Sequence, residues 1–441
     1  MTASRLTKTA CRRHTSDTCT NLVREDLTDL LSPRSRFFTL YLAVLTALTA
    51  LAIDMSLAAM PRLEHHFGAS VATVQLTLSL FLIGFSAGQL VWGPLSDRRG
   101  RRPVLLIGLI LYVVSGFACS LSISLPMLIA CRFLQGIGSS VGAVLARAMV
   151  RDYYTPEAAG GILSHITQIM IIAPMVAPTL GGFLLLGFGW QSIFLFLAIA
   201  GALTWLVSWR FLAESHPPQA PEAGPTASIL DNFRTVLAHR SSFSFVLIIC
   251  CAGAGLFAYI SSSPFVIMQV FHIPQQHYGY YFAMTAGAMM LGATVNRALL
   301  PRQGALATLR LGVTLLFAAG MILGVVCRFH IGGIVGFMPP MMTFMFALGL
   351  VMPNATASAM APHGKMAGVS SSVIGSLQTL SSAVSGYIVG SFAHQLLLSM
   401  STMITVMSIL TLVTYWYSLR SAAADVRSAD EAAELALELV G

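Results

Sequence analysis

The chain has 441 residues, of which 56% are hydrophobic and only 10% charged, with a formal net charge of +8. A water-soluble surface needs roughly 25% charged residues, so this composition excludes an ordinary soluble domain. Runs of about 20 apolar residues are long enough to cross a bilayer, and the chain reads as an all-α integral membrane protein.

In chain order, the first 36 residues are polar and basic, with Arg5, Lys8, Arg12, Arg13, Arg24, Arg34 and Arg36. The first apolar run begins too late and runs too long for a signal-peptide core. The hydrophobic pattern predicts twelve spans, near 37–60, 71–95, 104–122, 126–149, 158–186, 192–211, 243–270, 278–300, 306–327, 331–358, 368–397 and 399–418. One long polar break interrupts them, Glu214 to Ser228, rich in Pro and Ala. It divides the spans six and six. The predicted organisation is an N-terminal tail (1–36), a six-helix unit (37–211), a linker (212–242), a second six-helix unit (243–418) and a C-terminal tail (419–441).

An even number of spans puts both termini on one side. With that side in the cytoplasm, 22 of the 25 Lys and Arg residues fall in cytoplasmic segments, against Arg62 and Arg328 outside and Arg132 within a span. Retention of basic residues in cytoplasmic loops orients membrane proteins. It also accounts for the positive charge without nucleic acid. The seven cysteines, at 11, 19, 119, 131, 250, 251 and 327, show no repeating spacing and form no disulfide framework. Cys11, His14 and Cys19 are too few to make a metal site, so no metal is expected.

Several stretches carry more than apolar filling. Asp54 lies in the outer half of the first span, where a desolvated carboxylate is able to carry a proton. "GPLSDRRGRRP" (Gly93–Pro103) forms the turn between spans two and three. It combines an acceptor, Asp97, with Arg98, Arg99, Arg101 and Arg102, a turn glycine, Gly100, and a helix-starting Pro103. Arg132 lies inside the fourth span, where an arginine faces a partner or a wet cavity or else snorkels to the interface. The fifth span contains Pro174, Pro178, Gly181 and Gly182, which should kink or thin it. Gln135, His165, Gln168, Tyr259, Gln269, Asn354 and Gln378 are polar residues in apolar surroundings. They either line a substrate cavity or hydrogen-bond between helices.

The loop spacing resembles the signature of the major facilitator superfamily, Gly-x-Leu-x-Asp-Arg-x-Gly-Arg-Arg-Pro, and matches it throughout from Gly93 to Pro103. Arg132 with Gly136 resembles the same family's fourth-helix motif. "APMVAPTLGG" (Ala173–Gly182) resembles its antiporter motif, with Ala177 in place of the first glycine. "DMSLAAMP", "GWQSIF" and Pro353–Gln378 are similar to the Bcr/CflA drug-resistance branch, with Ala58 where that branch carries proline. The resemblance covers about residues 37 to 418. It implies two pseudo-symmetric six-helix bundles, and a conformational latch built from Gly93, Asp97, Arg98, Gly100, Arg101 and Arg102 in which Asp97 and Arg98 carry the charge role and the other arginines serve as anchors; it also implies that Asp54 and Arg132 lie at similar depth on adjacent helices and pair. The family repeats the loop between spans eight and nine; here "NRALLPRQGALATLR" keeps Arg297, Arg302 and Gly304 but no acid.

The reading that follows is a monomeric, proton-coupled antiporter of the bacterial inner membrane that exports a small drug-like molecule by alternating access, with protons, substrate and lipid as its partners. The alternative within transporters is export of a metabolite or siderophore; uptake by symport and a transporter-like sensor stand behind it. No phosphate-binding loop is present, since "HGKM" lacks both the leading glycine and the hydroxyl residue, so neither ATP nor another cofactor is expected. No nucleophile or metal constellation supports an enzyme.

Overall fold

The computed structural model describes residues 35–216, 229–362, 367–392 and 395–438. Nearly all of the tail expected at 1–36, including Cys11, His14 and Cys19, lies outside these, as do linker residues 217–228 and His363–Met366. The helices are α1 (Arg36–Leu57), α2 (Met60–Phe67), α3 (Val71–Arg99), α4 (Arg101–Ser120), α5 (Leu125–Tyr153), α6 (Pro156–Phe188), α7 (Gln191–Phe211), α8 (Ile229–Ala238), α9 (Arg240–Phe265), α10 (Gln275–Arg328), α11 (Gly333–Met360), α12 (Ala367–Ser391) and α13 (Leu396–Glu438). Among the described residues, nine helices are long and apolar enough to cross a membrane, and Ile172–Phe188 is a shorter apolar one. In hydrocarbon every backbone N–H and C=O must be satisfied within its own segment, which leaves helices as the form such runs take.

Several expected boundaries move. Residues 93–99 are helical, so the arginine-rich loop shrinks to one non-helical residue, Gly100 (φ 91°, ψ 156°), and α4 starts at Arg101 rather than at 104. Pro103 remains in the first turn of α4, where its missing N–H costs nothing. The 54-residue α10 is two helices that meet at Gly304 (φ 77°, ψ 168°). The degenerate loop thus keeps the backbone break of the intact one, at a residue free to adopt positive φ. α6 runs through Pro174 and Pro178 as one continuous helix, so the two prolines do not break it. The linker contains α8, whose Val236 is fully buried and which packs on α9 and α12. α13 continues as a single helix to Glu438.

Within the first bundle α3 and α4 pack on α5, α4 on α7, and α1 on α6; in the second, α10 packs on α11, and α9 on α12 and α13. The bundles meet where α3 lies against α12 and α6 against α10. Glycines make the tightest crossings. A Cβ on Gly84 would lie 2.2 Å from the Phe133 carbonyl, and one on Gly136 2.0 Å from that of Phe81, so α3 and α5 touch backbone to backbone. The second bundle repeats this between α10 and α11: Gly292 would meet the Phe346 carbonyl at 2.0 Å and Gly349 that of Met289 at 2.5 Å. Close approach at small residues is how helices associate in lipid. Outward faces carry exposed apolar side chains, such as Phe183, Phe188 and Trp209, that suit hydrocarbon.

Hydrogen bonds between the bundles cluster away from the Gly100 side. Gln269 Nε2 donates to Glu64 Oε2 (2.7 Å), Gln275 Nε2 to the Ala58 carbonyl (3.1 Å) and Gln75 Nε2 to the Ser261 carbonyl (3.0 Å). Ser86 Oγ donates to the Ser376 carbonyl (3.0 Å) nearer the middle. The seam is therefore closed on the side opposite the arginine-rich turn.

Gly136→Val and Gly349→Val should each destabilise the purified protein by about 3 kcal/mol or more, because the clash is with backbone and no side chain can turn aside. Gly182→Ala should be silent, since nothing lies within 4 Å of its added Cβ. Thermal unfolding in detergent distinguishes the three.

Candidate functional site

Arg132 is the largest fully buried side chain of the first bundle, 1% exposed, which removes the snorkelling reading. Its guanidinium donates from Nη1 to Gln135 Oε1 (2.8 Å) and from Nη2 to the Ala52 carbonyl (3.1 Å) and Ser56 Oγ (3.4 Å). It lies over the Phe81 ring at 4.2 Å and near that of Phe194 at 5.7 Å. Gln135 stands one helical turn after Arg132 on α5, so one face of that helix presents both the donor and its acceptor. All these acceptors are neutral, and Arg132 Nε has no partner.

The expected Asp54–Arg132 pair is not formed. Both ion pairs among the described residues belong to Arg101. Arg132 grips α1 at Ala52 and Ser56, two residues to either side of Asp54, and positions two apart lie on nearly opposite faces of a helix. Asp54 therefore points elsewhere. It is 4% exposed and makes no hydrogen bond or ion pair among the described residues, while its carboxyl acts electrostatically on the Tyr278 phenol of α10.

The antiporter-like stretch of α6 packs close by. A Cβ on Gly181 would lie 2.6 Å from the carbonyl of Met55, the neighbour of Asp54. Gly279, the neighbour of Tyr278, would meet Thr179 Oγ1 at 2.3 Å. Gly181 and Thr179 thus bring α1 and α10 onto the same turn of α6. Pro178 and Gly182 line a cleft of about 250 Å³ on this seam, together with Phe183, Gln276 and His277. Pro174 lies one turn further in, half-buried.

Two of the proposed cavity residues, Tyr259 and Asn354, turn out to be helix-to-helix anchors, and a third, Gln135, braces Arg132 along the same helix. Gln135 is fully buried and holds Arg132. Tyr259, fully buried, pairs with Thr285 of α10 at 3.2 Å. Asn354 Nδ2 donates to Asn296 Oδ1 (2.5 Å) and to the Leu350 carbonyl (2.8 Å). Tyr259 and Asn354 engage their polar groups within the protein, whereas Gln135 Nε2 is buried with no hydrogen-bond partner among the described residues. Gln378 is half-buried beside Gly253. Gln168 and His165 belong to α6, but their side chains lie outside the described residues.

At the Gly100 turn the structure reassigns the roles. Arg101, expected as an anchor, is the centre: it pairs with Asp97, donates from Nε to Asp152 Oδ2 of α5 (2.9 Å) and from Nη1 to Ser96 Oγ (2.7 Å). Arg98, expected as a latch residue beside Asp97, is exposed and makes no hydrogen bond or ion pair among the described residues. Glu214, at the start of the linker, caps α4. Its carboxylate accepts from the backbone N–H of Arg101 (2.7 Å) and of Arg102 (3.1 Å), where the helix dipole favours an anion. A Cβ on Gly100 would come within 2.7 Å of that carboxylate, so the turn needs glycine for space as well as for φ. Arg102 donates to the Trp209 carbonyl (2.6 Å). Gly93, half-buried, faces Val144 at 3.9 Å. All these contacts lie within the first bundle.

Two glycine-paired bundles, a buried intramembrane arginine and a charged turn at a helix–glycine–helix break define a membrane transporter. The profile described as Major Facilitator Superfamily matches residues 42–386, and the chain belongs to that family. It is 28% identical over 357 residues to the "Bicyclomycin resistance protein homolog" of Haemophilus influenzae, covering 80% of this chain and 89% of that one. It is 32% identical over 356 residues to the "Chloramphenicol resistance protein" of Pseudomonas aeruginosa, covering 80% and 81%. Against "Multidrug resistance protein MdtL" of Escherichia coli the figures are 31% over 338 residues, 75% and 83%. These names fit the drug-resistance branch that the motifs resemble. In fold, the chain is similar to a bacterial homologue of the lysosomal transporter Spinster in an inward-facing, unoccupied conformation. That match has a TM-score of 0.70 at 16% identity and covers 89% of this chain and 99% of that one. The xylose transporter XylE of Escherichia coli, partially occluded and inward open, follows at 0.67 and 13%, covering 87% and 96%. The protein is a multi-pass membrane transporter and not an enzyme.

Arg101→Ala removes the pairs to Asp97 and Asp152 and leaves Asp152 the Ser215 hydroxyl as donor, and should cost about 1.5–3 kcal/mol. Arg98→Ala should leave stability within about 0.5 kcal/mol of wild type, as an exposed charge does. Melting of the two purified variants tests the reassignment.

Proposed function

We propose that this transporter is a proton-coupled antiporter that exports small drug-like molecules by alternating access from the bacterial cytoplasm, with the arginine-rich side inward and both termini cytoplasmic. The observation that carries the reading is Asp54, 4% exposed within α1 and without a hydrogen-bond donor among the described residues. An ionised carboxylate buried without a partner costs several kcal/mol. The seam closed opposite Gly100 therefore tolerates Asp54 neutral and resists it charged. A proton taken up from the outer side permits closure there. Its release toward the cytoplasm re-charges Asp54 and drives the outer side open again, carrying substrate with it. That order of events is antiport.

Arg132 stands on another face of α1 as a fixed positive charge with neutral acceptors only, and takes no part in the proton transfer. The bicyclomycin-, chloramphenicol- and multidrug-resistance names of the relatives support a drug-like substrate. The driving force is sufficient. The membrane potential supplies about 2.3 kcal/mol per charge per 100 mV, and one pH unit about 1.4 kcal/mol, enough for a substrate gradient of about a hundredfold.

In inside-out vesicles, a panel of amphenicols, bicyclomycin-like compounds, fluoroquinolones and cationic dyes should contain at least one compound that collapses an imposed pH gradient with wild type and not with Asp54→Asn. Equal responses from both proteins would move the proton site away from Asp54. A folded, inserted protein that responds to none of the compounds would count against drug export.

A further inference from the structure

The cycle above leaves one buried polar group unused. Tyr278 of α10 is fully buried, and its hydroxyl lies 3.0 Å from Ser263 Oγ of α9. Ser263 directs its own hydrogen to the Ile260 carbonyl at 3.2 Å, so Tyr278 is the donor of the pair. The neighbouring Tyr259 is likewise the donor to Thr285, whose hydrogen goes to the Phe282 carbonyl at 2.8 Å. The two phenols therefore hold the only free-to-turn hydrogens of this small network, and Tyr278 is the one on which the Asp54 carboxyl acts.

Asp54 and Tyr278 belong to different bundles, and packing explains their proximity. Gln275 of α10 donates to the Ala58 carbonyl at the end of α1; Tyr278 lies one turn inward from Gln275 and Asp54 one turn inward from Ala58, each on the same face of its helix, so the two stand opposite each other. From the first bundle, the charged or titratable groups packed on α1 are Arg132 of α5, at Ala52 and Ser56, and Tyr112 of α4, whose hydroxyl donates to the Leu48 carbonyl at 3.4 Å, both on faces of α1 other than that of Asp54. From the second bundle they are Tyr278 itself and, behind it, Tyr259. The described residues of α6 supply none.

We propose that Tyr278 is the positioning residue that transmits the charge of Asp54 to the second bundle. With Asp54 protonated, the phenol donates to Ser263, the arrangement seen here. With Asp54 ionised, the phenol hydrogen turns to the carboxylate and leaves Ser263, which breaks the α9–α10 contact within the second bundle and offsets only part of the cost of the buried charge, so the closed seam still resists it. No covalent bond changes; one hydrogen bond exchanges its acceptor. The inference rests on Asp54 as the proton carrier.

Infrared difference spectroscopy of the purified full-length protein, titrated with acid, tests it without any substrate. The protonated-carboxyl band of Asp54 is the one that Asp54→Asn removes. In Tyr278→Phe, which keeps the ring and its packing, the midpoint of that band should rise by about one pH unit, the shift expected when a hydrogen bond to a charged group is lost. Ser263→Ala, which frees the phenol, should lower it. A midpoint unchanged in Tyr278→Phe overturns the role of Tyr278 and leaves Asp54 as the carrier. Should Tyr278→Phe not fold, Ser263→Ala decides alone, and an unchanged or raised midpoint overturns the proposal. If Asp54→Asn removes no titrating band, the proton-carrier reading itself falls.

Discussion

Every important contact in this transporter depends on the absence of a side chain. In lipid there is no hydrophobic force to press one helix on another, so association relies on close packing and on hydrogen bonds across the contact. Gly84 with Gly136, and Gly292 with Gly349, bring backbones to distances that a single Cβ would forbid. These two crossings make each bundle a rigid unit. The looser seams, α3 on α12 and α6 on α10, are then the surfaces left to move. Even there, the closed end is pinned by glycine, with Gly279 of α10 on Thr179 of α6.

That packing decides where charge can be kept. Arg132 is locked by two aromatic rings and three neutral acceptors, so it is a fixed positive charge and not half of a switchable pair. Asp54 is buried on another face of α1, without a donor, at the point where three helices converge. A buried cation with neutral partners and a buried acid with none are costly in a low-dielectric core. Their cost is highest in the closed arrangement, and opening the seam relieves it. The charged turn at Gly100 works differently. Arg101, Asp97, Asp152 and Glu214 form a partly exposed network whose members are satisfied within one bundle, and it braces the ends of α3, α4 and α5 against each other.

The two halves of the chain show how far a repeat can drift while its shape persists. Gly304 keeps the positive φ of Gly100, but no carboxylate lies near it, and nothing lies within 4 Å of the position its Cβ would take. The backbone break is needed to turn the chain in both halves. The charge network is present in only one, because its acids, Asp97, Asp152 and Glu214, come from three separate segments of the first bundle.

Local pattern was enough to establish the membrane class, the positions of most spans, the family and the residues that matter at the Gly100 turn. Apolar run length, basic-residue asymmetry and the Gly93–Pro103 spacing are all one-dimensional signals. Sequence also singled out Asp54 and Arg132, because a charge inside an apolar run stands out wherever it points. It did not show that they face apart, since that depends on the rotation of α1 against α5 and α6. Nor did it show that Arg101 outranks Arg98, or that Glu214 returns from the linker to cap α4 across 113 residues. Tyr278 carried no signal at all: a tyrosine near a helix start is ordinary until the Gln275–Ala58 contact sets its helix against the end of α1. Composition and spacing record which groups a chain owns. Only the packed helices determine which of them meet, because that choice is made by distances of a few ångströms between residues hundreds of positions apart.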